Sequence, residues 1–452
     1  MGAARPRALD LWMNGLYVGR WERTRSKQDQ LRYDPSWLDR PEGRPLSLSL
    51  PIGGGTPLRG AAVSAYFENL IPDNEQILRR LRDRFKAHST AAFDLLAQIG
   101  RDCAGAIQLL PAGAEPGDVR RIDARPLDEA GVAAMLREAT LGARFGSDDS
   151  DAFRLSLAGA QEKTALLRHR GRWCVPRGAT PSTHVFKLPL GLVANIRADL
   201  SDSVELEWLC LELMRSVGLD TPKAEIGRFE DQRALIVERF DRRRAPDGKW
   251  WIRIPQEDFC QATGTPPTGK YEADGGPGIR QILDILRGSE SAEDDRVAFF
   301  KAQIMFWILG ATDGHAKNFS IFLRGGGRYR LTPFYDVLST YPIQGIGAGR
   351  LDPRRARLAM AITGRNRHYL IRDIHRWHWT AMATALGLER PASALIEELI
   401  LAVPKAMASV GERLPEDFPR ACFDAVAVGA TAAVRKLASE PDAPGRTARV
   451  AR

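Results

Sequence analysis

Between residues 310 and 320 the chain reads GATDGHAKNFS. An Asp, a His, a Lys and an Asn crowd together, with FFKAQIMFWIL before them and SIFL after. Asp313-Gly314 breaks a run with the pattern of a buried helix, and Asn318 opens a strand. Asp336 closes the hairpin NFSIFLRGGGRYRLTPFYD that Asn318 begins, so folding the hairpin returns both residues to one end. An amide oxygen and a carboxylate suit Mg²⁺, which takes a few oxygen ligands and keeps phosphate oxygens as the rest. Asp313, not needed as a ligand, is free to accept a hydroxyl proton. Taken singly, each has a plainer reading as an Asx turn, an N-cap or a hairpin Asn. It is the three together at this spacing that point to chemistry.

D-x-x-x-x-N followed by a metal-binding Asp is the arrangement of protein kinases, where that Asp sits in D-F-G. Here the third piece reads FYDVLS, which retains the metal Asp but not the Phe of D-F-G. Lys317 is placed to steady a transferring phosphoryl charge, and His315 to act as a hydrogen-bonded neighbour. A β-rich lobe should then hold the nucleotide. Lys187 lies in the apolar strand THVFKLP, where burial demands an anion such as a phosphate or a carboxylate like Glu207, unless the side chain snorkels to solvent. SLAGAQEKT (156–164) is a Gly-containing turn whose amides could cradle phosphates or simply form a β-turn. Glu162 precedes Lys163, so it is not a Walker A loop. VERF (237–240) reads as a strand ending in a basic loop, DRRRAPDGK, at an adenine-binding hinge. His375 and His378 lie three apart without a nearby third ligand and read as an amphipathic helix face rather than a metal site.

The elements that must position these groups follow from pattern. LDLWMNGLYVGRWE (9–22) predicts a hairpin about Asn14-Gly15, PLSLSLPIGGG (45–55) a strand, and 66–98 helices. The chain thus divides into an α+β unit at 1–110, a linker and helix at 111–152, a β-rich ATP-binding lobe at 153–255, an α-helical catalytic lobe at 256–430 and a disordered tail at 431–452. In the β-rich lobe SVELEWLCLELMRSVG (203–218) predicts a helix with Leu206, Leu209, Leu213 and Val217 on one face. There is no apolar run of about 18 residues to span a membrane, and MGAARPRALDLWMNG lacks a secretory h-region, so a cytoplasmic protein is expected. Five scattered cysteines suit a reducing compartment and argue against a disulfide framework or a zinc site. A net charge of +9 favours anionic partners, nucleic acid among them, or is a solvated Arg-rich surface.

SLAGAQEKTALL, THVFKLP, VERFDRR, PQEDFCQATG, KYEADGGPGI, GATDGHAKNFS and LTPFYDVLS stand in the order found in the HipA serine/threonine kinases, the toxins of bacterial type II toxin–antitoxin systems. WMNG, RPLSLSLP, ENLIPD and FDLLAQIGRDCAGAI also resemble that family, so the likeness runs from about Leu9 to Pro419. The resemblance implies a two-lobed, protein-kinase-like α+β fold using ATP and Mg²⁺. It implies that Asp313 is the catalytic base and that Asn318 and Asp336 hold the metal. Lys187 would contact phosphate, as would the loop Ala158, Gly159, Ala160, Gln161, Glu162 and Lys163, with His315 and Lys317 beside the nucleotide. Glu238 and Phe240 would hold adenine through main-chain groups. Ser156 matches the serine that family members phosphorylate on themselves to switch the kinase off. Partners implied are a HipB-like helix-turn-helix antitoxin, operator DNA through that complex, and a translation component such as an aminoacyl-tRNA synthetase as substrate. Two other readings stay open: a lipid or small-molecule kinase, and a DNA-bound co-repressor subunit.

Overall fold

The computed structural model describes residues 7–24, 26, 28–53, 55–141, 155–156, 161–193, 198–364 and 366–443. Two compact units share the chain. The first comprises Met1–Leu188, Glu225–Lys270 and Ser320–Tyr329; the second comprises Pro189–Ala224, Tyr271–Phe319 and Arg330–Arg452. These limits depart from the expected boundaries. Helix Ser203–Ser216 belongs to the second unit rather than the β-rich lobe, and residues 256–270 belong to the first. Local periodicity reports that a segment is helical, not which core accepts it.

In the first unit Asn14 (φ 49°) and Gly15 (φ 83°) supply the two left-handed positions of a tight hairpin turn. Ala8–Met13 and Leu16–Arg23 pair across it, within a five-stranded antiparallel sheet that ends on Leu58–Arg59 and Ile107–Pro111. Trp21 stacks on Phe67 at 3.8 Å, anchoring the helices at Ala61–Glu68 and Ala92–Ile99 to the sheet. Residues 45–55 are not the expected strand. The hydroxyls of Ser47 and Ser49 donate to the Gln261 carbonyl, and the Leu48 amide donates to Glu257, so side chains satisfy the groups a ladder would have used. A second, six-stranded sheet runs in the order Ala224–Phe229, Gln232–Glu238, His184–Lys187, Lys163–His169, Arg172–Pro176, Ala124–Pro126. Helix Glu129–Leu141 packs Val132 and Leu136 against Leu166, Phe186 and Ile236 of this sheet.

A buried ionic cluster ties the short strand Asp102–Cys103 to the chain that follows strand Gln232–Glu238. Asp102 accepts from Arg242 at 2.9 Å, from the Ser182 hydroxyl at 2.6 Å, and from Arg239 and Arg253 at 3.4 Å. Asp241 accepts from Arg239 at 2.7 Å and from the Gly105 amide at 2.7 Å. The segment read as a basic loop is partly internal: Asp241 and Arg242 are buried, while Arg243 and Arg244 are exposed. Burial works against both carboxylates, but the surrounding guanidiniums hold Asp102 and Asp241 below the usual carboxylate range.

In the second unit, helix Ala292–Ile308 is enclosed on all sides over Phe299–Ile308, and Lys301 within it is tied to Glu398 at 2.5 Å. Helix Ser203–Ser216 buries every position from Ser203 to Met214, not the single face expected. It packs against helix Ala392–Glu412. The tail expected to be disordered from 431 continues helix Arg420–Ser439, because Ala433, Val434 and Leu437 are buried. Its end is fastened by Glu440 to His375 at 2.6 Å and by Asp442 to Arg376 at 2.7 Å; residues 444–452 lie outside the described ones. His375 caps helix Arg376–Leu386, its amide donating to Nδ1 of His378, whose ring stacks on His368 at 3.9 Å. Among the described residues no cluster of His, Cys, Asp and Glu could hold a metal, all five cysteines are free and buried, and no helix is long and apolar enough to cross a membrane.

Asp102→Ala would leave Arg239 and Arg242 with Asp241 as their only carboxylate in the cluster and remove the carboxylate that Arg253 faces. It should cost about 3–5 kcal/mol of unfolding free energy at neutral pH, measured by denaturant titration. The contribution of Asp102 is present above its unfolded pKa of about 3.9 and lost only on acidification below that. Burial also pushes His378 down to about 4, with His368, His375 and Lys436 acting in the same sense and Glu440 against it. Stability from a neutral His378 is full above the unfolded value of about 6.5 and is lost as pH falls toward the folded one. Melting temperature should drop between pH 7 and 4.5, and less steeply in His378→Phe.

Candidate active site

The second unit carries Asp313, His315, Lys317, Asn318 and Asp336. Helix Ala292–Ile308 stops at Gly310, whose φ of 60° turns the chain beneath the Tyr341 ring. Gly314 is a close approach of another kind, since a Cβ there would lie 2.6 Å from the Phe306 ring. The backbone is thereby pressed against the core while the Asp313 side chain stays 61% exposed. Asp313 receives the Tyr271 hydroxyl on Oδ1 at 2.6 Å, and its Oδ2 lies 4.0 Å from His315 Nε2. The carbonyl of Asp313 accepts from the His315 amide at 2.8 Å and from Asn318 Nδ2 at 2.7 Å. That second bond aims the nitrogen of the Asn318 amide at the Asp313 carbonyl and leaves the side-chain oxygen out of it. Asn318, His315 and Lys317 are all buried.

Residues 334–341 run back along this loop. The Tyr335 hydroxyl donates to the Lys317 carbonyl at 3.0 Å, Phe334 meets Phe319 edge-on at 6.2 Å, and Ala311 bridges Ser339. The Thr340 amide donates to Gly310 at 3.0 Å. Asp336 lies in this run, half-buried, with φ 61°. Asp tolerates this left-handed conformation better than most residues, and a residue so held is typical of ligand clamps. The hairpin between the two segments is present as Ser320–Leu323 and Tyr329–Leu331, the Arg324 amide donating to Arg328 at the turn.

The first unit carries Ser156, Gln161, Glu162, Lys163, Lys187, Glu238 and Phe240. Ala158, Gly159 and Ala160 lie outside the described residues. Lys187 stands directly opposite Lys163 on neighbouring antiparallel strands, so both side chains project from one face. Two ammonium groups so placed repel, and an anion between them reverses the sign of that interaction. Gln161 Nε2 donates to the Leu188 carbonyl at 2.5 Å, and the Leu188 amide donates to Glu162 at 3.1 Å, fixing this end of the loop beside Lys187. The Glu162 carboxylate is taken by Arg80. Ser156 is fully buried, on a two-residue strand that pairs with Asp102–Cys103, and its hydroxyl donates to the Leu70 carbonyl at 2.7 Å. Glu238 is exposed, Phe240 is half-buried against Phe322, and Arg239 between them points into the ionic cluster.

Sequence reasoning assigned no role to several residues that now have one. Tyr271, in the quoted KYEADGGPGI, reaches Asp313, and Glu272 beside it accepts the Ala361 amide at 2.6 Å. Leu70, in ENLIPD, holds Ser156, and Asp73 of the same stretch pairs with Lys270 at 2.9 Å. The signal was present as motif likeness, but a hydrogen bond between residues 42 apart, such as Tyr271 to Asp313, leaves no local pattern.

The family described as HipA-like C-terminal domain matches residues 155–407, and that described as HipA N-terminal domain matches residues 9–110. A putative kinase, Y4mE, of Sinorhizobium fredii is 33% identical over 410 residues, covering 89% of this chain and 92% of its own. The serine/threonine-protein kinase toxin HipA of Shewanella oneidensis is 28% identical over 434 residues, covering 92% of each. Among solved structures, the Shewanella oneidensis complex of HipA, HipB and operator DNA aligns with TM-score 0.77 at 24% identity, covering 95% of this chain and 97% of that one. That likeness establishes the shared fold.

Proposed function

The chain belongs to the HipA family of serine/threonine-protein kinases, and on that premise we propose that it is the toxin of a HipBA-type toxin–antitoxin module. It transfers the γ-phosphoryl group of ATP to a serine or threonine of a translation component, an aminoacyl-tRNA synthetase being the class the family resemblance implies. The observation that carries this reading is the tie from Tyr335 to the Lys317 carbonyl, which sets the Asp336 segment along the Asp313–Asn318 loop.

The donor set fits the expected ligands. A buried amide oxygen from Asn318 and the carboxylate of Asp336 are the oxygen ligands a hard divalent cation prefers. Mg²⁺, when bound there, would neutralise phosphate charge. Lys163 and Lys187, facing each other, suit the phosphates, with Gln161 and Glu162 fixing the adjoining loop. Lys317 and His315, buried in the same loop as Asp313, would stand beside the nucleotide. The main chain at Glu238 and Phe240 would hold adenine. Asp313 orients the acceptor hydroxyl and takes its proton, so the chain contributes positioning and charge more than covalent chemistry. Self-phosphorylation at Ser156 would require its short strand to leave Asp102–Cys103 and break the bond to Leu70. The partners carried over from the family are a HipB-like antitoxin and, through it, operator DNA, with the protein acting in the cytoplasm.

Asp313→Gln should abolish transfer of labelled γ-phosphate while ATP still raises the melting temperature; near-normal transfer would refute the base assignment. Lys187→Met should keep the fold and weaken nucleotide binding by about tenfold or more, the loss of one charged hydrogen bond. An undiminished ATP-induced thermal shift in that variant would remove Lys187 from the phosphate site.

A further inference from the structure

We infer that Tyr271 is a positioning residue for phosphoryl transfer, its hydroxyl holding one oxygen of Asp313 so that the other takes the acceptor's proton. This rests on the reading of Asp313 as the base. The O–H···O distance of 2.6 Å is that of a charge-assisted bond to a carboxylate. Asp313 needs such a bond. Its side chain is 61% exposed, so packing does not choose its rotamer. Its carbonyl is fixed by His315 and Asn318, but those bonds leave the carboxylate free to rotate.

Tyr271 is itself held from three directions. Its ring stands edge-on to the buried His315 ring, with centroids 5.1 Å apart and planes at 83°. Its carbonyl accepts from the amides of Asp274 at 3.0 Å and Gly276 at 2.9 Å. Glu272, the next residue, is fastened to the Ala361 amide at 2.6 Å. A well-held donor therefore meets an exposed carboxylate, which is the order of parts that positioning requires.

With Oδ1 engaged by the phenol and Oδ2 4.0 Å from His315 Nε2, beyond hydrogen-bond length, Oδ2 is the oxygen left for the acceptor serine or threonine. The acceptor's proton passes to Oδ2 as its oxygen bonds to the γ-phosphorus. The bond between that phosphorus and the bridging oxygen breaks, and ADP leaves with the electron pair. Tyr271 keeps its own proton throughout, so it orients the base and does not relay.

The test measures incorporation of γ-labelled phosphate into the full chain itself and into dephosphorylated casein, against ATP concentration. Wild type, Tyr271→Phe, Tyr271→Ala and Asp313→Gln are compared. Tyr271→Phe should lower the maximal rate at least about tenfold and leave half-saturating ATP within about twofold, the signature of an interaction that matters to the transition state and not to nucleotide binding. Tyr271→Ala should match it, since the hydroxyl is what counts, and both should melt as wild type does. With Asp313→Gln inactive, a wild-type rate in Tyr271→Phe, a parallel rise in half-saturating ATP, or a defect confined to Tyr271→Ala would each overturn the inference alone. An active Asp313→Gln would overturn the base assignment and this inference with it.

Discussion

The second unit depends on a change of direction at the end of one buried helix. Ala292–Ile308 has apolar residues on every side and cannot expose its C-terminal turn to water without cost, so the chain leaves it at Gly310 and is covered at once by residues 334–341. The polar groups of the loop then have two ways to be satisfied. Asn318 and the Tyr335 hydroxyl bond to loop carbonyls, while Asp313 points outward. The crowding of polar chemistry beside a core is thus a consequence of where the helix ends. The core supplies rigidity, and the last exposed carboxylate inherits it through its backbone.

The first unit solves a different problem at greater electrostatic expense. Strand alternation past Val237 exposes Glu238, buries Arg239 and half-buries Phe240. The buried guanidinium of Arg239 is matched by Asp241 and Asp102, and the latter comes from the short strand Asp102–Cys103. A cluster of buried ion pairs is seldom a net source of stability compared with apolar packing. What it does here is fix direction, because each guanidinium presents its donors in a rigid planar fork. The backbone at 239–242 and the strand Asp102–Cys103 are consequently locked in one register. Asn14 adds to that register, its amide pairing with both backbone groups of Arg253 as a strand residue would.

Legibility in the sequence followed the range of the interactions. The hairpin at Asn14-Gly15 was readable because its turn needs two positive φ angles that those residue types supply. Helix Glu129–Leu141 was readable from period. Residues 45–55 were misread because alternation of Ser and Leu imitates a strand, whereas the hydroxyls of Ser47 and Ser49 are spent on Gln261, more than 200 residues away in the chain. DRRRAPDGK reads only as a basic loop because charge alone does not reveal that Asp102 receives Arg242. The segment after 431 looked like a tail because its charged residues hid the spacing of Ala433, Val434 and Leu437.

By itself the sequence determined the residue types that could act, their order, and their likeness to the HipA motifs. Asp313, Asn318 and Asp336 were marked out because a proton acceptor and oxygen ligands are properties of side-chain chemistry, and their spacing around a hairpin is local. Only the tertiary structure decided that Tyr271 reaches Asp313, that Lys163 stands opposite Lys187, that Ser156 is sealed against Leu70, and that Arg239 turns inward. The reason is physical. A hydrogen bond or a cross-strand pair needs atoms within about 3–5 Å, and chain segments far apart in sequence are brought to that range by the packing of other residues altogether.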